Sequence, residues 1–181
     1  MSDERRPEAT ASQTVGPYFA IGLAYRYATS HVGPAAPGAR VTIEGRLVDG
    51  DGKPVPDGCL EFWQADAEGR HGGPGFRGFG RVATDAAGAF RVTTIRPGPV
   101  AGPDGKPMAP HLAVSIFARG LLRRLATRMY FPDEPANAAD LVLTRVPAER
   151  RHTLVARATG AGTLSWHVVL QGPGETVFLS W

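Results

Sequence analysis

Few side chains in this sequence of 181 residues could carry out chemistry on their own. Cys59 is the single cysteine, so no intrachain disulfide and no cysteine-built zinc site is available. It lies in the apolar, strand-like run Gly58-Cys-Leu-Glu-Phe-Trp63 and reads as a small buried hydrophobe rather than a nucleophile. The candidate imidazole donors are His111, directly after Pro110, and His71 in a glycine-rich stretch that reads as a flexible loop. The tyrosines are Tyr18, Tyr25, Tyr27 and Tyr130, and none sits beside His111 at a metal-ligand spacing. Arg123-Arg124 and Arg150-Arg151 fall at strand ends and read as solvated pairs. With a net charge of only +3, scattered along the chain, they leave no nucleic-acid footprint.

The elements that must position these residues are short strands. Composition is 43% hydrophobic and 20% charged, that of a folded globular chain. The chain also holds 23 glycines and 16 prolines without a repeat, punctuation that suits many strands joined by turns. Residues 41–48 alternate apolar and polar with period two, and Cys59 to Ala65 reads as a second strand. Residues 80–85 and 89–95, joined by a turn at Ala86-Ala-Gly88, read as a hairpin. Residues 96–110 read as a long loop with five prolines. Further strands are expected at 111–118, 125–131, 153–157, 164–171 and 176–181. Pro132 to Asp140 reads as loop or a short helical turn, and residues 146–152 as another turn. No long helix is expected. Trp63 and Trp166 read as core, and Trp181 as packed at an interface or against the sheet.

The expected fold class is therefore all-β: a β-sandwich of about eight strands with long Gly/Pro-rich loops and an N-terminal arm. One domain spans 1–181, with 1–10 mobile. The N-terminus shows no apolar core of a signal peptide, and no window reaches the ~18 apolar residues of a membrane span. The expected location is the cytoplasm, with no membrane and no nucleic acid as partner.

Several runs are more specific than the strand pattern. They are, in order, Ser12-Gln-Thr-Val-Gly-Pro-Tyr18, Leu60-Glu-Phe-Trp-Gln-Ala-Asp-Ala-Glu-Gly-Arg70, Phe79-Gly-Arg81 and Thr94-Ile-Arg-Pro-Gly98. Then come Pro107-Met-Ala-Pro-His-Leu112, Ile116-Phe-Ala-Arg-Gly120, Thr127-Arg-Met-Tyr-Phe131 and Gly172-Pro-Gly-Glu-Thr-Val-Phe178. As an ordered set over residues 11–181, they resemble the intradiol ring-cleaving dioxygenases. Within that family they resemble the alpha side of its two-chain, protocatechuate-cleaving branch.

The resemblance implies a hetero-oligomer of homologous alpha and beta chains with similar sandwich folds. The beta chain holds a non-haem Fe(III) through two tyrosines and two histidines. The substrates are protocatechuate and O2, and the ring opens between the two hydroxyl-bearing carbons to 3-carboxy-cis,cis-muconate. The family's four ligand positions fall here on His71, Val100, His111 and Ala113. Ferric iron needs hard oxygen donors with imidazole, and two of these four positions carry no donor. The resemblance thus implies no metal and no catalytic residue in this chain, with His111 a hydrogen-bonded remnant. It implies instead a substrate-pocket contribution from Thr14, Gly16, Pro17, Tyr18 and Arg119 at the alpha–beta interface. Gly16-Pro17 is a rigid turn whose backbone can approach a flat ring closely. Thr14 offers a hydroxyl, and Arg119 a permanent charge for a carboxylate.

Two other readings remain open at this point. A stand-alone β-sandwich binding module would suit the turn-rich Asp49-to-Gly58 segment. A self-sufficient homomeric dioxygenase would need the donors that Val100 and Ala113 lack.

Overall fold

In a computed structural model, residues 9–16, 18–33, 36–72 and 76–180 are described, without the side chains of 18–20. The architecture is a β-sandwich. One sheet holds β1 (Arg40–Val48), β4 (Ala89–Ile95), β9 (Arg157–Gly160), β10 (Thr163–Ser165) and β11 (Val168–Val169). The other runs β3 (Phe79–Ala83), β2 (Cys59–Trp63), β7 (His111–Phe117), β8 (Leu125–Tyr130). A two-stranded ribbon, β5 (Val100–Ala101) with β6 (Pro107–Met108), forms inside the proline-rich segment expected to be loop.

The alternation read from the sequence places the core. Ile43 and Leu47 of β1, Leu60 and Phe62 of β2, Val92 of β4, and Leu112, Val114 and Ile116 of β7 point between the sheets and are buried. Each such side chain contributes about 1.5–3 kcal/mol by leaving water. β8 is buried on both faces, because short 3-10 turns at Pro135–Ala139, Leu143–Arg145 and Ala148–Thr153 lie across its outside. Leu143, Val146 and Leu154 pack there against Tyr130.

Several sequence expectations are corrected. The 80–85 and 89–95 strands are not a hairpin: β3 pairs with β2, and β4 pairs with β1 in the other sheet. The turn between them is real, with the Asp85 carboxylate accepting from Ala87 N and Ala89 N at 2.8 and 2.9 Å. It carries the chain from one sheet to the other, because the Gly88 carbonyl accepts from Leu47 N of β1. The expected 164–171 strand breaks at Trp166-His167, where buried Trp166 docks its N–H on Glu44 O and the His167 ring accepts from Arg46 N. Gly45 permits that approach, since a Cβ there would lie 1.8 Å from Trp166 O. The strand expected at 153–157 starts instead at Arg157, and 176–180 forms no strand. A short helix, α1 (Tyr18–Leu23), was not expected. Trp63 is 44% exposed rather than core, whereas Trp166 and Cys59 are buried as expected. Trp181, and most of the mobile segment expected at 1–10, lie outside the described residues. Among the described residues, no helix is long and apolar enough to cross a membrane.

Candidate functional site

The sequence-named residues form two groups at opposite ends of β7. At its C-terminal end, Ala118 to Gly120 turns toward β8, and Gly120 takes a positive φ of 86° that suits glycine. The N-terminal arm reaches this turn. Thr14 Oγ1 accepts a hydrogen bond from Gly120 N at 2.9 Å, across 106 residues of sequence. Gly16, with φ at 63°, turns the arm back, and its N–H lies 3.5 Å from the same hydroxyl. The structure thus joins Thr14 and Gly16 to the Arg119-Gly120 loop. Pro17 and the Tyr18 side chain lie outside the described residues.

Arg119 is held by a residue that sequence reading missed. Its Nε lies 3.1 Å from Asp57 Oδ2, and the two side chains are 54% and 30% exposed. Asp57 is the third residue of the Val55-Pro-Asp-Gly58 turn that leads into β2, with a positive φ of 56° that Asp tolerates better than most residues. Its other oxygen, Oδ1, is buried without a hydrogen-bond partner. Gripping Arg119 through Nε leaves the two terminal amino groups of the guanidinium for a second anion. Val15, next to Thr14, and Leu122, two residues after Gly120, are exposed apolar side chains. An Asp in an X-Pro-Asp-Gly turn reads as turn chemistry, and nothing local points to an arginine 62 residues later.

The four family ligand positions gather at the other end of β7, roughly 25 Å away at ~3.3 Å per strand residue. His71 is not on a loose loop. The Asp66 carboxylate ties the turn before it, accepting from Glu68 N, Arg70 N and Arg70 Nε at 3.0, 2.8 and 3.0 Å. The Arg70 backbone bond leads these contacts in holding the Asp66 carboxyl below its usual range. That turn sits on Gly98-Pro99 so tightly that a Cβ on Gly69 would lie 2.0 Å from Pro99 O. His71 then stacks on Trp63 at 5.7 Å between ring centroids and 8° between planes, and the neighbouring Val100 pairs with Met108. Trp63 faces outward because Leu60 and Phe62 take the inward positions of β2, and the His71 ring stacks on that outward side chain.

His111 opens β7 opposite Tyr130, with ring centroids 5.6 Å apart. Its Nδ1 donates to Ala109 O at 2.8 Å, since a carbonyl only accepts. Burial, and then the Arg128 guanidinium, push its pKa down to about 4, so the ring is neutral at pH 7. Ala113 lies between Trp63 on β2 and Arg128 on β8. Behind them Asp140 accepts from Ala109 N, Val142 N and Leu143 N at 3.0, 2.9 and 3.1 Å, and from Tyr130 Oη at 2.9 Å. Burial alone would raise the Asp140 pKa; these donors outweigh it and hold the carboxylate charged.

This donor set does not fit a ferric iron. Val100 and Ala113 offer hydrocarbon where ligands are needed, and the carboxylate nearby is consumed by four donors. Among the described residues, no group of three or more His, Cys, Asp or Glu side chains could hold a metal ion.

A family profile described as "Dioxygenase" matches residues 15–172. The protocatechuate 3,4-dioxygenase alpha chain of Burkholderia cepacia is 44% identical, over 93% of this chain and 95% of its own length. That of Pseudomonas putida is 41% identical over 98% of both. The beta chain of the Burkholderia cepacia enzyme is 36% identical over 77% of this chain and 67% of its own. Among solved structures, the dioxygenase domain of a dioxygenase–carbohydrate-binding fusion from Streptomyces sp. SirexAA-E superposes with a TM-score of 0.66. It is 32% identical and covers 81% of this chain and 88% of that one. With a sandwich of that fold and relatives aligned along nearly its whole length, the chain belongs to the intradiol dioxygenase family.

Proposed function

We propose that this chain is the alpha subunit of a heteromeric protocatechuate 3,4-dioxygenase and that it walls, rather than carries, the catalytic centre. The single observation behind this reading is alignment over 93–98% of the chain with two alpha chains of that enzyme. The Thr14–Gly120 hydrogen bond supports the pocket role, because it sets the pocket candidate Thr14 against the residue next to Arg119. A homologous beta chain supplies the Fe(III), which makes the catechol reactive toward O2. Both oxygen atoms enter as the ring opens between its hydroxyl-bearing carbons, giving 3-carboxy-cis,cis-muconate.

The work of this chain is binding and orientation. Arg119, steered by Asp57, presents its free amino groups to the substrate carboxylate. Thr14, Gly16, Pro17 and Tyr18 close the pocket against the ring. The exposed Val15, Ile21, Tyr25 and Leu122 lie on the arm and the loop that the beta chain covers. The soluble cytoplasm is the setting of such an enzyme. The test is reconstitution: each chain alone, then both co-expressed, assayed for O2 consumption with protocatechuate. Turnover by the pair and by neither chain alone is expected. Turnover by this chain alone, or an inactive pair whose beta chain is iron-loaded, refutes the reading.

A further inference from the structure

We propose that the buried Arg128 guanidinium has taken the metal's place in this chain, as an internal cation around which the four former ligand positions close. Arg128 is 8% exposed. It stands directly opposite Ala113 across β7 and β8. Its Nη1 donates to Met108 Sδ at 3.4 Å, and Met108 is the strand partner of Val100. The same nitrogen reaches Tyr130 Oη at 3.4 Å, and Tyr130 is the strand partner of His111. Trp63, on the far side of Ala113, carries His71 stacked on its ring. Ala113 therefore faces Arg128, Val100 and His111 are each one residue removed from it, and His71 is two residues removed.

The charges follow the same plan. A metal with anionic oxygen ligands is locally balanced, and a bare buried cation is not. Asp140 contributes to that balance, accepting from Tyr130 Oη while Tyr130 accepts from Arg128. The shrinkage of one position to Ala113 leaves room for a long side chain from the next strand. A guanidinium does not deprotonate in a protein, so the positive charge is permanent and opposes a second cation at short range. Arg128 then does two things at this end of β7. It ties β8 to the β5–β6 ribbon, and it supplies the central charge. The inference rests on the ligand positions that the family resemblance assigns, and not on the pocket role of Arg119.

The experiment restores the ligands as His71→Tyr, Val100→Tyr and Ala113→His, with Arg128 kept or changed to Gln. Iron per chain and the visible tyrosinate-to-iron band are compared with the wild-type chain, isolated in the same assembly and loaded with the same ferric salt. Iron above the wild-type level is expected only when Arg128 is also replaced. Iron with Arg128 kept, or iron in neither variant, overturns the inference. A separate measurement covers poor folding of the multiple variants. Urea midpoints of Arg128→Lys, Arg128→Gln and Arg128→Met alone are expected to show Lys close to wild type and both neutral variants lower. A Met variant as stable as wild type, or no rescue by Lys, overturns it equally.

Discussion

Replacing Arg119 by Ala in the assembled enzyme separates a substrate grip from a merely structural cation. On the isolated chain the side chain is 54% exposed, and among the described residues it pairs through Nε with Asp57 at 3.1 Å. An ion pair with that exposure adds only about 0–1 kcal/mol to folding, so the variant is expected to fold and assemble. A charge-assisted bond to a substrate carboxylate is stronger, about 1.5–3 kcal/mol when partly desolvated. Taking the low end because of the exposure, about 1.4 kcal/mol is a tenfold change. The KM for protocatechuate is therefore expected to rise about tenfold. The KM for catechol, which has no carboxylate, is expected to stay within about twofold. Asp57→Asn removes the charge that orients the fork and should reproduce a few-fold part of the protocatechuate effect. The assay is initial-rate O2 uptake with both substrates on one preparation. Equal effects on the two substrates, or none on either, refute the idea that Arg119 reads the carboxylate.

Three further outcomes are expected. Thr14→Val removes the acceptor for Gly120 N, an exposed contact in this chain; the isolated chain should keep its urea midpoint, while association with the proposed beta chain, followed by titration, weakens by about 1 kcal/mol. Asp140→Ala strands the donors of Ala109, Tyr130, Val142 and Leu143; a loss of about 3–5 kcal/mol corresponds to a Tm lower by roughly 10 °C or more for a chain of this size, read by calorimetry. His31 and His111 are held near a pKa of about 4, chiefly by burial. The unfolded chain protonates first, near pH 6.5, so stability falls as pH drops from about 6.5 to 4. Between pH 7 and 5 the loss is up to about 2 kcal/mol per histidine, measured as a shift in urea midpoint. A midpoint that rises toward pH 5 contradicts those buried neutral rings.

How much of this was legible in the sequence depends on the range of the forces involved. Period-two alternation located β1 because one face of that strand is apolar wherever it sits, whereas β2, β7 and β8 were read as short apolar runs between turns. The same alternation, applied strictly, places Trp63 outward with Glu61, since Leu60 and Phe62 face inward; the pull of a large aromatic toward the core outweighed the period. The Asp85–Gly88 turn was legible, but whether β3 and β4 share a sheet depends on the contact of Gly88 with β1 and not on the turn. Thr14 and Arg119 were singled out through motifs, and the bond that unites their loops needs the fold. Asp57 and Arg128 escaped because each looks ordinary locally, a turn aspartate and a strand arginine. Their meaning comes from Arg119 on one side and from Ala113 across a strand pair on the other.

The central claim is that this chain shapes a pocket whose iron belongs to another subunit. Metal analysis and a visible spectrum, on the chain alone and on the complex with its beta chain, test it most directly. A colourless, iron-free chain and a red complex with one iron per alpha–beta pair are expected. A red chain that binds iron alone, or two irons per pair, contradicts the account and sends attention back to His71 and His111.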